Sequence, residues 1–259
     1  MIKLQHLPDR SKKPRNKGIT MVMDKGLGMR QAEDLMETSN LLIDFIKLGF
    51  GTSYINPNVK DKIKLYQKNN IKVYPGGTLF EAFIIRNQFD DYLQFIDKLG
   101  YDAVEISDGS MKLNHELKCE YIHKLSKNFT VVSEVGSKQA GVEIPTAEWA
   151  NQMKTEREAG AIKVIAEARE SGTVGIYDST GKPDFALIDI ISHSIPLDDI
   201  IWEAPLKKQQ AWFITHFGSD VNLGNISPTE IIPLETLRLG LRGDTFFNFL
   251  PQEMKKFKQ

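Results

Sequence analysis

Apolar runs of strand length recur along the chain, each followed by a turn rich in glycine or polar residues and then by a stretch with apolar positions three and four apart. Strands are predicted at residues 19–23, 43–48, 71–74, 161–166, 200–203 and 221–223, and in the runs Ala103-Val104-Glu105-Ile106-Ser107-Asp108-Gly109 and Val131-Val132-Ser133-Glu134-Val135-Gly136. Helical periodicity covers residues 30–38, 59–68, 92–99, 117–126, 146–158, 184–191, 207–217 and 229–239. Turn chemistry supports these boundaries. Pro75-Gly76-Gly77 ends the third strand, Thr78 through Glu81 has the spacing of a capping box, and Gly100 suits a helix C′ position. Ser227-Pro228-Thr229-Glu230 combines a second capping box with proline at the first helical position.

Strand and helix alternate eight times, at roughly 25 to 35 residues per unit, which points to an α/β fold, a single (β/α)8 TIM-type barrel spanning residues 1–259. Residues 1–17 read as a polar, basic N-terminal arm, and 251–259 as a loose basic C-terminal tail. A doubly wound open sheet is the competing architecture. It is disfavoured because no Gly-x-Gly-x-x-Gly follows the first strand.

The chain has 259 residues, 41% hydrophobic and 26% charged, enough to bury a large core. Its 33 Lys and Arg nearly balance 34 Asp and Glu, for a net charge of -1, so neither nucleic acid nor an anionic membrane is an expected partner. Small molecules are the better expectation, and homo-oligomer formation is left open. The single cysteine, Cys119, reads as a buried bystander in a helix. With no apolar run of membrane-spanning length and no secretory signal at the start, a cytoplasmic setting is expected.

In such a barrel the chemistry sits at the carboxyl ends of the strands. That places Asp24, Lys25, Lys47, Glu105, Asp108, Glu134, Lys138, Glu167, Arg169, Glu203, Asn222 and Asn225 at or near one mouth. Lys47 lies inside a strand pattern and shares a side with Phe45 and Gly49, either as a core lysine neutralised by a carboxylate or as a substrate contact. Glu105 and Glu134 end neighbouring strands, either as the oxygen ligands of a Mg²⁺ ion or as members of an ion-pair network with lysine. No His-Glu-x-x-His spacing supports zinc. Three places could hold a phosphate: the turn Gly76-Gly77-Thr78 and the turn Gly224-Asn225-Ile226-Ser227, each before a helix, and the Arg169 guanidinium. Ser107, where the fourth strand ends, is a further candidate substrate contact.

Several longer stretches are more specific. Asp24-Lys25-Gly26-Leu27, residues 47–53, residues 73–81, residues 104–110, Ser133-Glu134-Val135-Gly136, Arg169-Glu170-Ser171-Gly172, and the segment from Leu234 through Thr245 together resemble the phosphosulfolactate synthase family over residues 18–246. The resemblance implies a TIM-type barrel that joins sulfite to phosphoenolpyruvate, giving (2R)-phospho-3-sulfolactate, with Mg²⁺ required. It implies a place at the start of coenzyme M synthesis in methanogens or in bacterial sulfolactate formation. The family also includes plant heat-stress proteins, so a non-catalytic barrel acting through protein contacts is one alternative, and another phosphoenolpyruvate-using enzyme is a second. Two departures stand out: Ser137-Lys138 where the family often has two lysines, and Glu167-Ala168-Arg169 in place of Glu-Gly-Arg. Lys138 is the expected proton donor to the substrate's C2, the assignment the resemblance also favours, with a solvated, anion-attracting loop lysine as the alternative. Lys25, Lys47 and Arg169 complete the expected positive inventory.

Overall fold

The computed structural model describes residues 2–137 and 144–258. Among them, eight parallel strands alternate with helices in a nearly closed (β/α)8 barrel, as the alternation predicts. The order is β1 (Thr20–Asp24), α1 (Met29–Ser39), β2 (Phe45–Leu48), the short α2 (Thr52–Ile55), α3 (Val59–Lys68), β3 (Lys72–Pro75), α4 (Gly77–Ile84), α5 (Phe89–Leu99), β4 (Ala103–Ile106) and α6 (His115–Leu125). It continues through β5 (Thr130–Val135), α7 (Thr146–Ala159), β6 (Lys163–Ala166), α8 (Phe185–Ser194), β7 (Ile200–Glu203), α9 (Lys207–Phe217), β8 (Leu223–Ile226) and α10 (Ile231–Arg238).

Both faces of each strand are buried, which is why the runs are nearly continuous in apolar residues. Alternate residues point in and out. The outward set, with Val22, Ile46, Val73, Val104, Val131, Val164 and Trp202, packs under the helices. The inward set forms a separate apolar plug of Ile19, Met21, Phe45, Tyr74, Ala103, Val132, Ile165 and Ile201. Above this plug the interior turns charged.

The hydrogen-bonded order β3-β2-β1-β8-β7-β6-β5-β4 leaves β3 and β4 meeting without a backbone ladder. Carboxylates bridge that seam instead. Val73 N–H donates to Asp102 Oδ1 at 3.1 Å, and Gly77 N–H to Glu105 Oε1 at 2.6 Å.

Local sequence signals fail in three places, each for a physical reason. Neither predicted capping box forms: α4 begins at Gly77 with no side-chain cap, and α10 begins only at Ile231, placing Pro233 in a first turn where a missing N–H costs no helix bond. The eighth strand starts at Leu223 rather than at Val221: the Val221 carbonyl accepts from Arg238 at 2.6 Å, and the Asn222 side chain accepts from Ile19 N–H at 3.0 Å and donates to Ile200 O at 3.0 Å. Asn222 therefore sits at the floor of the barrel, away from the mouth. The basic segment before β1 is also part of that floor. Arg10 pairs with Asp220 and, at 2.9 Å, with Glu235, while Arg15 pairs with Asp44 at 2.8 Å.

Candidate active site

Five strands carry the charged layer, each by the same step. Two residues after an inward apolar position, β2 places Lys47, β4 Glu105, β5 Glu134 and β7 Glu203, and β6 runs on to Glu167. All five side chains are buried. The Lys47 ammonium lies 2.9 Å from Glu105 Oε2, 2.9 Å from Glu134 Oε2 and 3.5 Å from Glu203 Oε1. Burial works against its charge, but the three carboxylates outweigh that and hold its pKa well above the ordinary lysine value. Lys47 is thus a fixed cation. Burial, opposed by Lys47 and reinforced by Glu134, pushes the Glu203 carboxyl up to about 8. Glu203 Oε2 also accepts from Ala168 N–H at 2.8 Å, which fixes the loop after β6.

The cavity above this layer has a volume of about 670 Å³. Its wall includes Lys47, Gly76, Gly77, Glu134, Arg169 and Asn225, six of the residues singled out in the sequence. Asn225 is held in the left-handed region (φ 55°) and donates to Ala168 O at 3.3 Å. Its own side-chain oxygen is buried without a protein partner among the described residues, and the residue lines the cavity together with Arg169.

Of the other described candidates for the mouth, Glu167 and Glu203 also line the cavity and the rest do not. Glu105 stands behind Lys47 and Gly77. Ser107 is fully buried and donates to Glu81 Oε1, so it braces the wall from outside. Gly224 faces the apolar plug, where a Cβ would come within 2.6 Å of Met21 and 2.9 Å of Ile201. Lys25 is on the rim, half exposed, paired with Glu170 from the β6 loop and 5.6 Å from the Phe50 ring centroid. Asp24 points outward to Lys62 at 2.5 Å and Tyr66 at 2.8 Å. Lys138 lies outside the described residues.

Oxygen atoms of Glu134, Glu167 and Glu203 come within 4.8 Å of one another. Three buried carboxylates with nothing but hard oxygen donors suit Mg²⁺ better than a soft or nitrogen-seeking ion. The metal pair expected from the sequence, Glu105 and Glu134, is instead bridged by Lys47, and Glu167 and Glu203 bring the third and fourth carboxylates. Both carried a readable signal, a glutamate two residues beyond a buried apolar position on a neighbouring strand. Lys118 was missed. It shares the i, i+4, i+7 face of Ile122 and Leu125, is fully buried, and reaches Glu156 at 2.8 Å, Asp108 at 2.8 Å and the Glu134 carbonyl at 2.7 Å.

The family model described as (2R)-phospho-3-sulfolactate synthase (ComA) matches residues 8–244. The chain is 44% identical over 244 residues to the phosphosulfolactate synthase of Methanothermobacter thermautotrophicus, covering 92% of this chain and 95% of the relative. It is 41% identical to the phosphosulfolactate synthase of Bacillus subtilis, covering 93% and 97%. Identity to the protein HEAT-STRESS-ASSOCIATED 32 of Arabidopsis thaliana is 24%, over 89% of this chain and 88% of that protein. Among solved structures, 3-hexulose-6-phosphate synthase from Salmonella typhimurium superposes with a TM-score of 0.54 over 86% of this chain and all of that one; at 14% identity the likeness is one of fold. From the segment that floors the barrel to the turns after its last helix, the chain belongs to the (2R)-phospho-3-sulfolactate synthase family.

Proposed function

We propose that this enzyme adds sulfite to phosphoenolpyruvate and forms (2R)-phospho-3-sulfolactate. One observation carries the reading. The stretches that resemble the synthases at residues 47–53, 73–81, 133–136 and 169–172 are far apart in the chain, yet residues from all four line one cavity. In the proposed reaction the sulfur lone pair of sulfite forms a bond to the methylene carbon. The double-bond electrons shift toward C2 and its carboxylate, and a proton then adds at C2, so the phosphate ester survives. The presence of Lys47, Glu134, Glu167, Arg169 and Glu203 around one cavity favours this over a silent barrel.

The charge of the site constrains how two anions can enter it. Among the described residues one fixed ammonium, Lys47, stands with four buried glutamates, so holding two anionic substrates there calls for further positive charge. Glu134, Glu167 and Glu203 would hold a Mg²⁺ ion, which when bound supplies charge opposite the carboxylate of the substrate as electrons flow toward it. Lys47 holds and orients anionic oxygen without giving up its proton. Arg169, on the rim of the same cavity, offers a two-pronged contact for the phosphate. Lys138 follows Glu134 by four residues and is assigned as the proton donor to C2.

Purified protein incubated with phosphoenolpyruvate, sulfite and Mg²⁺ should yield a new organic phosphate carrying a carbon–sulfur bond, detected by phosphorus NMR and mass spectrometry. Consumption of phosphoenolpyruvate without sulfite, or none at all across a series of divalent cations, overturns the proposal.

A further inference from the structure

Glu81 has a buried carboxylate that the reaction described above does not use. It lies in α4 at capping-box distance from Thr78, yet the N-cap of that helix, Gly76, has no side-chain cap. The carboxylate crosses instead to the loop that follows β4. Ser107 Oγ donates to Oε1, and Ser110 N–H donates to Oε2 at 2.8 Å. In the opposite sense, Glu105 on β4 accepts the N–H of Gly77, the first residue of α4, at 2.6 Å. Two carboxylates therefore lace α4 and β4 together at the seam that lacks a backbone ladder.

The lacing leads directly to the charged layer. Glu105 uses its other oxygen to hold the Lys47 ammonium at 2.9 Å. Glu105 and Ser107 are two residues apart on one extended run, and both crowd Gly77, where a Cβ would lie 2.7 Å from Glu105 Oε1. Nothing at that corner can shift alone. We propose that Glu81 is a positioning residue of the active site: by gripping Ser107 and Ser110 it sets where β4 ends, and through Glu105 it sets where the Lys47 ammonium stands.

Two acceptor oxygens meeting two donors on one loop explain the choice of residue. A glutamine can reproduce both contacts, its amide group donating to Ser107 Oγ while its oxygen accepts from Ser110 N–H. An alanine reproduces neither and leaves both loop donors without their acceptor.

The kinetic part of the test rests on the sulfite-addition reading; amide exchange does not. Sulfite addition and amide hydrogen exchange at Gly77 and Ser110 are measured on the full chain for wild type, Glu81→Gln, Glu81→Ala and Ser107→Ala. Displacing the layer in Glu81→Ala should lower kcat on the order of 10²-fold, and both amides should exchange at least about tenfold faster. Glu81→Gln should stay within about threefold of wild type in both, with Ser107→Ala between. If Glu81→Gln is as slow as Glu81→Ala while exchange stays native, the charge and not the placement matters, and the proposal falls. It falls equally if Glu81→Ala matches wild type, or if Ser107→Ala is the most impaired, since Ser107 would then act on the substrate itself. Should Glu81→Ala fail to fold, Ser107→Ala decides: faster exchange at Gly77 with at least about fivefold lower kcat supports the proposal, and wild-type values overturn it. A wild-type chain that does not consume sulfite defeats the assigned reaction, while the exchange comparison still decides the role of Glu81.

Discussion

Replacing Lys47 by methionine keeps the volume of the side chain and removes a cation that touches three buried glutamates. Its side chain is 7% exposed and its partners Glu105, Glu134 and Glu203 are 0 to 2% exposed, so water can do little to compensate. Breaking a buried ion pair from one side costs about 3–5 kcal/mol, because the opposite charge stays behind. For a chain of this size the melting temperature should fall by on the order of 10 °C. The glutamates can relieve the stress by taking up protons. Their pKa values rise in the variant, the folded state then binds more protons than the unfolded chain at neutral pH, and stability increases as pH is lowered from about 8 to about 6. Lys47 itself adds no slope in that window. Its folded pKa lies above the unfolded 10.5, so the stability it contributes is complete below 10.5 and is lost only as pH climbs through the folded value. Thermal unfolding of both proteins between pH 6 and 8, with and without Mg²⁺, checks the reasoning, and Mg²⁺ should raise the variant's melting temperature more than that of wild type. A Lys47→Met protein that melts with wild type, or that loses stability further as the pH falls, refutes it.

Lys138→Met should lower kcat for sulfite addition by roughly 10²-fold or more if Lys138 delivers the proton, whereas loss of a steering charge would raise KM and do so less at high salt. Gly77→Ala brings a Cβ to 2.7 Å from Glu105 Oε1 and should cost about 1–3 kcal/mol of stability together with activity; unchanged denaturant midpoint and turnover would contradict the tight corner. Arg10→Ala removes the shared partner of Asp220 and Glu235 and should lower the denaturant midpoint without changing KM. Despite burial, Arg10 holds the Glu235 carboxyl below its usual value, so this stabilisation is present above the unfolded pKa and disappears as pH drops through the folded one; a loss that persists at about pH 2 would contradict it.

The parts of the site that can be read in the sequence are those obeying a strand's period of two. Phe45 to Lys47, Ala103 to Glu105, Val132 to Glu134 and Ile201 to Glu203 are each a step from an inward apolar residue to an inward charge, and with strand order implied by the alternation they must form a ring. What periodicity does not carry is partnership. Whether Glu105 faces a metal or an ammonium depends on the tilt of strands whose sequences are silent on it, and Lys47 settles between Glu105 and Glu134. The signals that misled are local ones. Thr78 through Glu81 has the spacing of a cap, but Glu81 is drawn to the β4 loop, and a residue that departs from its local rule is a place to look for function.

Within the longest of the matched stretches, Leu234 through Thr245, Glu235 and Arg238 lie at the opposite end of the barrel from the cavity. Arg238 is fully buried there, donating to the carbonyls of Ser219 at 2.7 Å, Val221 at 2.6 Å and Ile19 at 3.1 Å. Those carbonyls precede β8 and β1, the strands whose pairing shifts register near Thr20. Glu235, three residues earlier, binds Arg10, and Arg10 in turn binds Asp220 beside the same strand entry. One helix and one N-terminal segment thus tie the first strand to the last, at the only join a linear chain must make between its two ends. A motif of this kind stabilises the closure without approaching substrate. Its substitutions should therefore appear in unfolding and not in KM, whereas those at the Glu81, Glu105 and Lys47 corner should appear in both.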